Sequence, residues 1–297
     1  MEKVINYNEW TQTAYTLHMI AQMMGKVKLE CLEPQPEWGH VLLEPVPDGF
    51  STGFVPHGAG GFEIRLRLDE PQVQAVATTG EEASFPLEDG TSVARYYERF
   101  TLLLEAVGHP VPLYPVPQEM FTQTPFYALA EPLAFDGGAA WNYFEQCLFA
   151  QGALLDFSAG FRGKKMQPSL FWGTLDLTCV LFSGKPCPYA GEGGIVERVA
   201  LDEQFVEFGF WPGDEKADDP AFFVMAYPFL EGVMPEVDVP GAYYDPSSAE
   251  YFLKLEDVLR ADDPHAAVVR FCHDAFVNIA ANQRWERFDW LTRPLLV

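Results

Sequence analysis

Residues 161–213 read FRGKKMQPSLFWGTLDLTCVLFSGKPCPYAGEGGIVERVALDEQFVEFGFWPG. Two stretches rich in aromatic and β-branched residues, 169–181 and 203–210, have the length and composition of strands, and a third follows at 222–227. The breaks between them are basic and rich in glycine: Arg162-Gly163-Lys164-Lys165, then Ser183-Gly184-Lys185-Pro186. Strands that follow one another in this way, with helices before and after the run, indicate an antiparallel sheet in an α+β protein.

Outward from this stretch, 139–157 reads as a helix, 228–250 as loop, 251–255 as a short strand and 264–282 as a helix. The first half has the same order. Trp10, Ala14, Leu17, Ala21 and Met24 recur at helical spacing over 7–25, with Gly25 as the expected stop. Strand-like pieces follow at 27–32, 40–46, 62–68, 72–77 and 83–87. Residues 62–68, F-E-I-R-L-R-L, alternate strictly and mark a half-exposed strand that 72–77 can pair with. Helical periodicity returns over 92–107 through Val93, Tyr96, Tyr97, Phe100, Leu103 and Leu104.

Six prolines between 108 and 138 (Pro110, Pro112, Pro115, Pro117, Pro125, Pro132) make that stretch an extended connector. The expected organisation is an N-terminal α+β half at 1–108, a connector at 109–138 and a C-terminal α+β half at 139–297. Each half would be a mainly antiparallel sheet with flanking helices, related by an internal duplication. Gly25-Lys26 after the first helix and Gly163-Lys164 after the third are echoes of that kind. Neither a Rossmann glycine signature nor a phosphate-binding P-loop is present.

Apolar residues make up 48% of the 297 residues, enough for a packed core, and 24 Phe, 12 Tyr and 7 Trp favour sheet. Lys and Arg number 19 against 43 Asp and Glu, a net charge of −24. That field opposes nucleic acid and anionic membranes. The first residues lack the pattern of a secretory leader, and no apolar run matches a bilayer. Five widely spaced cysteines without a C-x-x-C pair read as reduced structural thiols. A cytoplasmic protein is expected.

Three groupings carry residues suited to chemistry. His18, Gln22 and Lys26 fall at i, i+4 and i+8, a polar stripe on an apolar helix with Lys26 just past its end. Such a stripe lines a cavity or serves hydrogen bonds inside the fold. Trp38-Gly39-His40 opens a strand, an arrangement that suits ligand stacking or proton transfer, or plain core packing. In the third grouping Arg162, Lys164 and Lys185 sit at strand ends, where they can grip a carboxylate or phosphate or make structural ion pairs. Asp176 would share a strand face with Trp172 and Thr174, and Glu203 a face with Trp211. Ser183 lies outside any nucleophile-elbow motif. The spacing of His18, His40, Asp176 and Glu203 gives no support to a metal site.

The ordered set Thr16-Leu17-His18, Gln22, Gly25-Lys26, Phe161-Arg162-Gly163-Lys164, Phe171-Trp172-Gly173, Asp176-Leu177, Phe182-Ser183-Gly184-Lys185 and Gly209-Phe210-Trp211-Pro212-Gly213 resembles a bacterial family catalogued as domain-of-unknown-function family 5996. The resemblance covers nearly the whole chain. It implies one family-wide unit of about this length and no assigned activity. Members of that family carry histidines before F-W-G, in the loop after the F-S-G motif and before the strand ending in F-W-P-G. Here those places hold Ser169, residues 189–192 and Glu203-Gln204, which implies a divergent member.

The leading expectation is a protein that binds a small polar or anionic ligand in a cleft between the halves, with catalysis assigned to His18, Asp176 and Glu203. Gln22, Lys26, Trp38, His40, Arg162, Lys164, Trp172, Lys185 and Trp211 would contact the ligand. The alternative is a non-catalytic interaction protein with an acidic surface, and the third a metal-dependent hydrolase. The sequence names no reaction, cofactor or protein partner.

Overall fold

A computed structural model describes residues 4–295. By their internal contacts these fall into two compact units, one built from residues up to 146 with 170–175, the other from 147–169 with 176 onward. Each unit carries a six-stranded antiparallel sheet with helices, so the protein is α+β with two sheet-centred halves.

In the first unit α1 (Thr11–Cys31) is buried on nearly every side, from Ala14, Leu17 and Ile20 to Met24 and Val27. An apolar helix without a solvent face belongs inside a core. Its sheet consists of β1 (Glu44–Val46), β2 (Gly49–Ser51), β3 (Val55–His57), β4 (Gly60–Arg67), β5 (Gln72–Ala77) and β6 (Glu82–Pro86). The order is β1-β2-β4-β5-β6, with β3 paired to β4. On β4 the alternation expected from F-E-I-R-L-R-L is present: Phe62, Ile64 and Leu66 are buried, while Glu63 and Arg65 pair outside. A short ribbon joins β7 (Thr91–Ser92) to β8 (Pro132–Leu133). The Ser92 side chain caps α2 (Val93–Ala106) by accepting from the Arg95 amide, and α2 buries Val93, Tyr96, Phe100, Leu103 and Leu104.

In the second unit the sheet order is β13-β14-β12-β11-β10-β9, from β9 (Lys165–Phe171), β10 (Asp176–Pro186), β11 (Glu203–Trp211), β12 (Ala221–Tyr227), β13 (Tyr243–Asp245) and β14 (Glu250–Lys254). The C-terminal part of α3 (Gly137–Ser158) and α6 (Pro264–Asn282) cover one face. There Phe157 and Phe276 both pack on Phe208, with ring centroids 4.5 and 5.6 Å away. Two short helices, α4 (Ile195–Ala200) and α5 (Leu255–Leu259), precede α6, and α7 (Phe288–Leu291) follows it. The Asp263 side chain accepts from the Ala266 amide and Pro264 occupies the first turn, a strong start signal for α6. On the opposite face Val180, Phe182, Leu201, Phe205 and Tyr227 form a second, smaller core. Residues 176–182 of β10 are therefore buried without alternation, as their continuous apolar run requires.

Several local expectations are corrected. The first helix does not stop at Gly25 but runs to Cys31, so 27–28 are helical and Lys26 lies within the helix. The apolar stretch 40–46 yields a strand only at Glu44–Val46. Residues 169–181 form two strands separated by a turn at 172–175, with Leu175 at φ 61°, so Trp172 and Asp176 share no strand face. Trp38 ends a 3-10 turn at φ 59° instead of opening a strand. Among the described residues no helix is long and apolar enough to cross a membrane.

Candidate functional site

The turn at 172–175 is laid along the polar stripe of α1. His18 Nε2 donates to the Gly173 carbonyl at 3.0 Å. The acceptor fixes the tautomer, leaving the lone pair on Nδ1. Burial lowers the His18 pKa to about 4, against the raising effect of the Gly173 and Trp172 backbone bonds, so the ring is neutral at pH 7. One turn on, Gln22 is fully buried. Its Nε2 donates to the Gln118 carbonyl at 2.8 Å and the Trp172 carbonyl at 3.2 Å, and its Oε1 accepts from the Gln118 amide at 2.8 Å. Gln22 thus clamps the Pro-rich stretch and the 172–175 turn to the same helix.

At the third position the indole of Trp172 lies against Gly25. A Cβ there would sit 2.2 Å from Trp172 Nε1, so the glycine provides close approach inside a helix. Trp172 Nε1 donates to the Val41 carbonyl at 3.0 Å, and Leu43 and Leu170 exchange backbone hydrogen bonds beside it. Lys26 is 3% exposed. Its Nζ lies 5.4 Å from the Tyr114 ring centroid and 5.9 Å from that of Trp172, and makes no hydrogen bond or ion pair among the described residues. Burial lowers its pKa to about 8, with Glu30 acting the other way, so the ammonium persists at pH 7.

Trp38 and His40 belong to the same unit. Their rings stack at 5.9 Å, and His40 Nδ1 accepts from the Gln35 amide at 3.1 Å. Burial and the neighbouring Lys28 lower the His40 pKa. Lys28 is itself buried and donates to the Leu42 carbonyl.

The other named residues belong to the second unit. Arg162 donates to the Arg293 carbonyl at 3.2 Å and the Pro294 carbonyl at 3.4 Å, with its guanidinium 5.0 Å from the Trp290 ring. Lys164 pairs with Glu203 at 3.0 Å and lies 4.0 Å from the Phe182 ring, and Glu203 also accepts from the Gly184 amide at 2.8 Å. The Lys185 side chain is exposed, and Trp211 is half-buried at the end of β11. Asp176 is buried at the start of β10 and acts on Glu250. Burial, then Asp176 and Asp245, raise the Glu250 pKa to about 7.

The structure therefore brings together His18, Gln22, Lys26 and Trp172, and separately Lys164 with Glu203. Sequence reading missed Tyr114, Lys28 and Glu250. Tyr114 lies in an aperiodic stretch, Lys28 was read as part of a strand, and the Glu250–Asp176 coupling depends on strand order. Only a tyrosine between prolines, held in an extended segment, was a visible signal. Among the described residues no group of three or more His, Cys, Asp or Glu side chains is arranged to hold a metal ion.

The sequence model of a family described as a family of unknown function, DUF5996, matches residues 3–291. No curated protein and no solved structure matches the chain.

Proposed function

The chain belongs to the DUF5996 family of unknown function, and on that premise we propose that its first unit binds a small anion, a carboxylate or phosphate, at Lys26. The observation that carries this reading is the Lys26 ammonium itself. It is buried between two aromatic faces and makes no ion pair or hydrogen bond among the described residues, with Glu30 acting on it only from a distance, in a chain with more than twice as many acidic as basic residues. A buried charge without a partner costs several kcal/mol, roughly, and such groups concentrate where a ligand completes them. Trp172 would form the inner wall. Tyr114, 62% exposed, would form the outer one and the way in. His18 and Gln22 hold the 172–175 turn in place beneath.

Thermal unfolding of the purified protein with inorganic phosphate, citrate or pyruvate tests the proposal. At least one of these should raise Tm in the wild type and lose that effect in Lys26→Met. An equal anion response in Lys26→Met, or none in the wild type, ends the reading. The alternative of an acidic interaction protein draws on the exposed rings of Tyr114, Phe121 and Tyr127 along the Pro-rich stretch.

A further inference from the structure

Two histidines outside the Lys26 site meet at the edge of the first unit. His57 ends β3 and His109 lies just beyond α2. Their Nδ1 atoms are 3.0 Å apart and their ring centroids 5.2 Å apart. Phe62, 1% exposed on β4, orients both rings: His109 stacks on it at 5.0 Å, and His57 meets it edge-on at 6.1 Å. The backbone pins each residue as well. His57 pairs with Gly60 across a hairpin whose Gly58 adopts φ 63°, and the His109 amide donates to the Leu104 carbonyl at 2.9 Å. Two imidazole nitrogens on separate elements thus converge on one point.

We propose that His57 and His109 form a binding site for a divalent transition-metal ion of the zinc or nickel type. Only one N–H fits between the two Nδ1 atoms, so the hydrogen bond seen here occupies the place an ion would take. Zinc–imidazole bonds of about 2.0–2.1 Å in tetrahedral geometry put two ligand nitrogens about 3.3 Å apart, a small expansion of the present pair. Imidazole selects zinc, nickel or copper over magnesium and calcium, which require oxygen cages. Glu81, hydrogen-bonded to Thr79, lies within electrostatic reach of His109 and adds a favourable negative charge, while water would complete the shell. The net charge of −24 raises the local concentration of cations.

Calorimetric titration of the reduced, full-length protein with zinc or nickel tests the site. We expect one ion per chain with micromolar affinity, weakened about tenfold or more by His57→Ala and by His109→Gln. Glu81→Gln should weaken it less. His273→Ala, at an exposed histidine beside Asp274, should leave it unchanged. Affinity should fall as pH drops, because protons compete for the same lone pairs. Wild type that binds no ion leaves the pair as a shared proton only and overturns the proposal, as does equal binding in His57→Ala. His57 is part-exposed, so its variant tests the site even where His109→Gln perturbs packing on Phe62.

Discussion

Gly25-Lys26 and Gly163-Lys164 are the same two letters in two environments. The first pair lies inside a buried helix, with an indole pressed into the notch left by the missing Cβ and an ammonium set between aromatic faces with no ion pair among the described residues. The second lies in the segment leading into β9. Lys164 keeps 43% of its side chain in solvent and pairs with Glu203 at 3.0 Å. What a lysine does is set by what covers it: burial without a counter-ion stores unfavourable energy that a ligand can relieve, whereas an exposed ion pair stores very little.

The comparison breaks most visibly at Trp172. Trp172→Ala removes the ring over Gly25 and the bond to Val41, and should cost about 3–5 kcal/mol in urea unfolding. A loss under about 1 kcal/mol would mean the indole does not organise the first unit. Lys26→Met should instead stabilise the protein at pH 7, by about 1–3 kcal/mol, because an apolar chain replaces a desolvated cation. The folded-state pKa is lowered to about 8, so between there and the ordinary lysine value the unfolded chain binds more protons and wild-type stability rises with pH. The advantage of Lys26→Met should therefore shrink over that window, and a gain constant with pH would remove the buried-charge argument. Lys164→Met should shift stability by less than about 1 kcal/mol and even less at high salt. An effect as large as that of Lys26 would erase the contrast.

Much of the fold was legible because the determining signals were local. The alternation of Phe62, Ile64 and Leu66 against Glu63 and Arg65 marked β4, and the helix read over 264–282 is α6 with the same bounds. Gly25 misled because glycine has two meanings. It ends helices through its backbone freedom, and it admits close neighbours through its missing side chain. The neighbour that decides between them, Trp172, is distant in sequence. The same distance hid the turn at 172–175 inside what reads as one long strand. The helical spacing of His18, Gln22 and Lys26 gave the stripe correctly, but not the backbone carbonyls that engage it.

Residues 170–175 belong to the first unit although 147–169 intervene. On the ribosome, at roughly 5–20 residues per second, the capping turn therefore emerges on the order of seconds after the rest of its unit. During that interval the nascent α1 presents an uncapped His18, a Gln22 that can reach only Gln118, and an empty notch at Gly25. The unit's last hydrogen bonds form only once translation has moved on into the next sheet.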